Sequence, residues 1–181
     1  MSSRASSIED ADLIYENTPV TVVALRNQPR INLVGVEVGP FEEGKEYSVK
    51  FWMAKELEKA GAIRFPEEET LDASRLYKIQ WTERIQPASE ISSLPETFYP
   101  RLRHLLAELK RSSRNNLEKM KQHETMERLS RDIVTCRLKK MIALASASGS
   151  AEHVLKNLTA EERKLYEDLR SIIDDWRAKI L

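Results

Sequence analysis

The residues that could carry chemistry are few and scattered. His104, His123 and His153 fall on three separate segments, each among charged or polar neighbours. A metal centre needs several His, Cys or acidic donors at set spacings, such as i and i+4 on one helix face. None of the three histidines has a His, Cys or Asp so placed. Cys136 is the lone cysteine. A thiol becomes a nucleophile beside a base, and Cys136 stands beside Ile133 and Val134, which reads as a half-buried helical position. Carboxylates cluster at Glu67-Glu68-Glu69 and at Asp174-Asp175. Paired acid–base work needs carboxylates held at a fixed separation across a cleft. The first cluster reads instead as a solvated junction and the second as the polar face of a helix. No GxGxxG, GxxxxGK[ST] or GxSxG occurs, and five glycines leave little material for a phosphate loop. The expectation is a protein with no catalytic residue, no cofactor and no metal.

Charge is balanced in total and uneven along the chain. Lys and Arg number 29, as do Asp and Glu. Residues 1–70 hold 8 basic and 13 acidic side chains, whereas residues 101–140 hold 12 basic and 5 acidic. The basic middle fits a solvated helix face, or a surface for an acidic protein or a nucleic acid. Arg111, Arg114, Lys119 and Lys121 are the candidate contacts in the last case. No aromatic residue lies between Arg101 and Ala147, so the stacking rings used by single-strand binders are missing. No run approaches the ~18 apolar residues of a membrane span. The acidic opening MSSRASSIEDADLIY has no apolar secretory core. With one cysteine, these features lead us to expect a reducing, cytoplasmic setting.

The elements that must position these residues fall into two groups. Residues 1–68 read as a small β-rich domain and 69–181 as a helical one, an α+β protein. PVTVVAL at 19–25 reads as a strand, and the alternation of INLVGVEV at 31–38 predicts a second. Gly39-Pro40 ends it. EYSVK at 46–50 is a third strand. A helix over about 51–60 puts Met53, Leu57 and Ala60 on one face with Trp52 beside them, and Gly61 caps it. AIRF at 62–65 is a fourth strand. Phe41, Trp52, Met53 and Leu57 form the expected core.

Beyond residue 70 the pattern is helical. The first helix runs from Asp72 to about Ile85, with Leu76, Ile79 and Tyr77 facing inward. Leu102, Leu105, Leu106 and Leu109 repeat at i, i+3, i+4 and i+7. KRSSRNN at 110–116 reads as a loop or frayed joint. A long helix then spans Leu117 to about Ala147 through Leu129, Ile133, Val134, Leu138, Met141, Ile142 and Ala145, and SASGS at 146–150 ends it. Thr159 and Glu162 have capping-box spacing at the head of a last helix. Its stripe is Leu165, Leu169, Ile172, Ile173, Trp176 and Ile180. The result is an antiparallel bundle of four or five helices. Its broad apolar stripes fit either an ordinary interior or burial against another subunit.

Gly39-Pro40-Phe41, Gly44, Trp52, Ala54, Leu57 and Arg64 together resemble the small β domain of GINS subunits. Phe98-Tyr99, then Asp132, Arg137, Leu138 and Lys140, then Asn157-Leu158-Thr159, are similar to landmarks of the same family's helical domain. Lys50 departs from the pattern, since relatives often carry Pro there, and the 110–125 segment shows no match. The order, β domain before helical domain, is similar to that of the smaller archaeal subunit and its eukaryotic second and third partner subunits. The resemblance implies a non-catalytic scaffold that forms a tetramer with a sister subunit, two copies of each. It further implies that the scaffold bridges the MCM replicative helicase and a RecJ/Cdc-type factor and contacts primase or polymerase, in the nucleoid or nucleus. The assembly surface expected on that basis is Met141, Ile142, Leu165, Leu169, Ile173 and Trp176. The alternative is a nucleic-acid-binding regulator using the basic residues of 101–140.

Overall fold

A computed structural model describes residues 8–66, 70–147 and 152–181. The chain divides into one unit over Glu9–Thr70 and another built on Leu71–Leu181. The acid run 67–69 and residues 148–150 of the expected helix stop at 146–150 lie outside the described residues.

The first unit opens with a helix that the sequence reading did not anticipate, α1 at Ile8–Glu16. Its inward stripe is only Ala11 and Tyr15, too short to stand out by periodicity. Five strands follow: β1 (Pro19–Ala24), β2 (Ile31–Leu33), β3 (Val36–Val38), β4 (Glu46–Lys50) and β5 (Ile63–Arg64). β1 is the centre of an antiparallel sheet ordered β4-β1-β5, with Val20 opposite Val49 and Ala24 opposite Ile63. The buried positions of β1 alternate, as one packed face requires.

INLVGVEV is not one strand. It folds back on itself as a two-residue hairpin, with Ile31 opposite Val38 and Leu33 opposite Val36. Val34 and Gly35 form the turn, with φ of 50° and 82°. Positive φ at both central residues is the turn whose twist suits a hairpin. Asn32 Oδ1 accepts from the Gly35 amide at 2.9 Å. Alternation alone cannot reveal such a reversal, and Val at φ > 0 is uncommon.

α2 (Phe51–Lys59) ends at Gly61. The Gly61 amide reaches the Glu58 carbonyl and the Ala62 amide the Leu57 carbonyl, a Schellman closure with Gly61 at φ +66°. The helix phase corrects the expected core. Phe51, Ala54 and Leu57 face the cluster formed by Tyr15, Val22, Phe41 and Ile63. Phe51 stacks 4.4 Å from Tyr15 and 5.9 Å from Phe65, centroid to centroid. Phe41 and Leu57 are where the sequence placed them. Met53 is buried outside that cluster, Ala60 is exposed, and Trp52 lies half-buried on the flank. The helix starts directly from β4, so its first residue points inward and the second does not.

The second unit is helical: α3 (Ala73–Ile85), α4 (Phe98–Ser112), α5 (Leu117–Ser146), the short α6 (Glu152–Leu155) and α7 (Ala160–Ile180). α5 is the central rod and packs on α3, α4 and α7. Asp72 and Asn116 cap α3 and α5 by accepting from Arg75 and Lys119 amides. The Thr159–Glu162 capping box heads α7 with both reciprocal bonds present. α4 runs through Lys110 and Arg111 to Ser112 before a single 3₁₀ turn at Ser113–Asn115, so half of the expected loop is helix. Two apolar clusters fill the unit, one around Leu76, Phe98, Leu102, Leu129 and Ile133, the other around Ile91, Met141, Ala145, Leu158 and Tyr166.

Candidate functional site

The inner face of α5 carries Met126, Leu129, Ile133, Arg137, Lys140, Met141 and Leu144. Two cations therefore sit at core positions. On α3 the inward face is Leu76, Gln80 and Glu83, not the expected Tyr77, which points to solvent. Arg137 and Glu83 are, at 0% and 1% exposed, among the most enclosed residues in the unit.

These charges meet. Arg137 Nε and Nη2 donate to the two oxygens of Glu162 at 2.6 and 2.7 Å, a bidentate fork. Arg137 Nη1 donates to Glu83 and to the Ser92 carbonyl, and Nη2 also reaches the Asn157 carbonyl at 3.4 Å. The five guanidinium N–H donors thus have five acceptors. Lys140 Nζ donates to the other Glu83 oxygen at 2.8 Å. The Ser92 hydroxyl and amide also donate to Glu83. The Tyr99 hydroxyl donates to Glu162 Oε1 at 2.6 Å, and Asn157 Nδ2 to the Ile91 carbonyl at 2.9 Å. Two cations and two carboxylates cancel within one enclosed cluster. With Tyr99 of α4 they join α3, α4, α5 and α7 with the connections around Ser92 and Asn157.

Electrostatics follows from this packing. Burial raises the Glu83 carboxyl pKa. The Lys140 and Ser92 hydrogen bonds and the Arg137 and Lys140 charges outweigh burial, so the group sits below the ordinary value. Burial and the Glu162 carboxylate push the Tyr99 phenol well up. Burial would lower Arg137, and the hydrogen bond and charge of Glu162 hold it high instead. Each carboxylate is matched by a cation, out of water, with hydrogen bonds already made. The arrangement clamps helices; it leaves no free base beside a substrate space.

The surface features lie elsewhere on the unit. On α7, Leu165, Ile172, Trp176 and Ile180 face solvent, with Trp176 62% exposed, while Leu169 and Ile173 pack on the interior cluster. Of the residues expected at an assembly surface, Ile142 is exposed and Met141 is buried in the core. α3 presents a second stripe, Tyr77, Trp81 and Ile85, all more than half exposed. The sequence reading missed it by taking Tyr77 as inward. Its signal was present: polar Gln80 and Glu83 share the phase of Leu76, and the aromatics share the opposite one. A groove of about 430 Å³ lies between α4, α5 and α7, floored by Tyr99, Val134, Leu138, Met141 and Leu165. The Arg103–Glu161 pair at 3.5 Å stands at its edge.

Other sequence candidates do not converge. Among the described residues no group of three His, Cys, Asp or Glu is arranged to hold a metal ion. Cys136 is half-buried on α5. Asp174 pairs with Arg170 and Arg177 at 3.5 and 3.7 Å. Arg111, Arg114, Lys119 and Lys121 lie exposed on the end of α4, the 3₁₀ turn and the first turns of α5. No described helix is long and apolar enough to cross a membrane.

A strand-rich unit followed by a bundle clamped by an internal ion network defines a two-unit α+β protein of the helical-bundle class. Residues 70–181 match the model of the GINS complex protein helical bundle domain, and the chain belongs to that family. Residues 7–64 match the PSF2 N-terminal domain. The chain is similar to the DNA replication complex GINS protein PSF2 of Xenopus laevis, 25% identical over 84% of this chain and 80% of that protein. It is also similar to the human protein of the same name, 27% identical over 54% of this chain. That alignment spans about half, 51%, of the human relative's length.

Proposed function

We propose that this chain is a non-catalytic scaffold subunit of a GINS complex in DNA replication, assembling with sister GINS subunits through its helical unit. The observation that carries the reading is the α7 stripe. Ile172, Trp176 and Ile180 recur at i, i+4 and i+8 and remain exposed, although the opposite side of the same helix is core. Exposed aromatic and aliphatic rows of this kind are the stuff of interface centres. The second row, Tyr77, Trp81 and Ile85 on α3, supports a subunit with two neighbours, as a closed four-membered assembly requires. The likeness to replication proteins supports a further role: holding the MCM helicase together with a RecJ/Cdc-type factor, with primase or polymerase as additional contacts.

The experiment is co-expression with the sister subunits. Replacing Ile172 and Trp176 by Asp is expected to abolish co-purification while helicity and the melting transition of the chain alone persist. Undiminished co-purification of that variant would refute the α7 interface.

A further inference from the structure

The α4–α5 turn concentrates positive charge that neither the fold nor the assembly reading uses. Lys110 and Arg111 lie in the last turn of α4, Arg114 in the 3₁₀ turn, and Lys119 and Lys121 at the start of α5. All five are exposed. Between Lys110 and Lys121 the sequence sets one carboxylate, Glu118, against them. None of the five side chains has an ionic partner among the described residues. Elsewhere on the same bundle some surface cations are paired: Arg131 meets Glu127 at 3.0 Å, Arg84 meets Asp132 at 3.2 Å and Arg170 meets Asp174 at 3.5 Å.

Local helix electrostatics accounts for part of this. Cations in the last turn of a helix complement its dipole, which covers Lys110 and Arg111. The same effect disfavours Lys119 in the first turn of α5. Five like charges on one tip repel one another and gain by meeting a polyanion.

We infer that this tip is a contact for the phosphate backbone of duplex DNA, made without reading sequence. Three observations select that partner. The cations stand exposed on and beside the turn that joins α4 to α5, where a backbone can run past them. Adjacent packed helices are ~8–10 Å apart, and one DNA strand carries a phosphate every ~3.4 Å of axis, so the tip spans about three phosphates of a strand. Single strands would be gripped by stacking on large aromatic rings, and no Phe, Tyr or Trp lies between Arg101 and Ala147. Three polar neighbours are already engaged: Asn116 is occupied as the α5 cap, and Ser112 and Ser113 donate to the Leu109 and Lys110 carbonyls. The contact is backbone positioning, the class that fixes where a protein sits on DNA.

The test is fluorescence anisotropy of a labelled 20-base-pair duplex with the full chain, alone and with its sister subunits, from 50 to 200 mM salt. A slope of log K against log salt of about −3 is expected, since each of about three neutralised phosphates contributes about −0.9. Replacing Lys110, Arg111, Arg114, Lys119 and Lys121 by Gln should weaken binding at least tenfold at 50 mM salt and flatten the slope. Replacing Lys55 and Lys59 by Gln should change neither, and circular dichroism checks that both variants keep their helices. Equal duplex affinity of the five-fold variant would overturn the inference. So would tighter binding to poly-glutamate than to duplex, which would assign the tip to an acidic protein segment, or tighter binding to a single strand of the same length.

Discussion

Arg137 is the residue on which the helical unit turns. Its five donors meet Glu162, Glu83, Ser92 and Asn157 with no exposure to water. A buried ion pair contributes modestly compared with good apolar packing, but removing one partner strands the others. Arg137→Ala should therefore destabilise the unit by about 3–5 kcal/mol, read by chemical denaturation. Arg137→Lys should recover only part of this, because an ammonium cannot make the fork. A cost below ~1 kcal/mol for the Ala variant would show that the cluster is not a clamp. Glu83 contributes to the pH dependence of stability. Its folded pKa lies below the ordinary value of 4.5, so around that pH the unfolded state binds more protons than the folded one. The resulting stability is full above the unfolded value and is lost as pH falls through the folded one. The melting temperature should fall on acidification below about pH 4.5, and Glu83→Gln should be less stable at neutral pH with a flatter acid limb. These roles were hidden in the sequence for a physical reason. Periodicity counts apolar residues, and a charged residue at an inward position is scored as an interruption of the stripe. Only the phase of Arg137 and Lys140 with Ile133 and Leu144 marks them as inward.

At the scale of elements, α2 illustrates what spacing can and cannot decide. Its extent and its Gly61 closure are legible, since Gly is suited to a left-handed cap. Its phase is not, because Phe51, Trp52 and Met53 are consecutive large residues and either face could be inward. The structure chooses Phe51, which stacks on Tyr15 and Phe65. Phe51→Ala should cost about 3–5 kcal/mol, and Trp52→Ala clearly less; thermal melts of the two variants compare them directly. A larger loss from Trp52 would restore the core first expected. The β2–β3 hairpin escaped notice because Val34-Gly35 lacks the Asn that usually announces such a turn. α3 was misjudged on one residue, Tyr77, with the result that its outward row went unseen. The α7 capping box, by contrast, was readable from two residues because its chemistry is local.

For the whole molecule the division into a strand-rich and a helical unit was legible, since the hydrophobic period changes near residue 70. The buried clamp and the exposed rows divide the labour within the helical unit: the first fixes how α3, α5 and α7 pack, the second presents Ile172, Trp176 and Ile180 to a neighbour. Native mass spectrometry of the chain co-expressed with its sister subunits tests this most directly. The scaffold account predicts a four-subunit mass for the natural chain, and a free 20.9 kDa chain once Ile172 and Trp176 are replaced by Asp. A natural chain that stays monomeric beside its sister subunits, or a tetramer indifferent to that replacement, would contradict it.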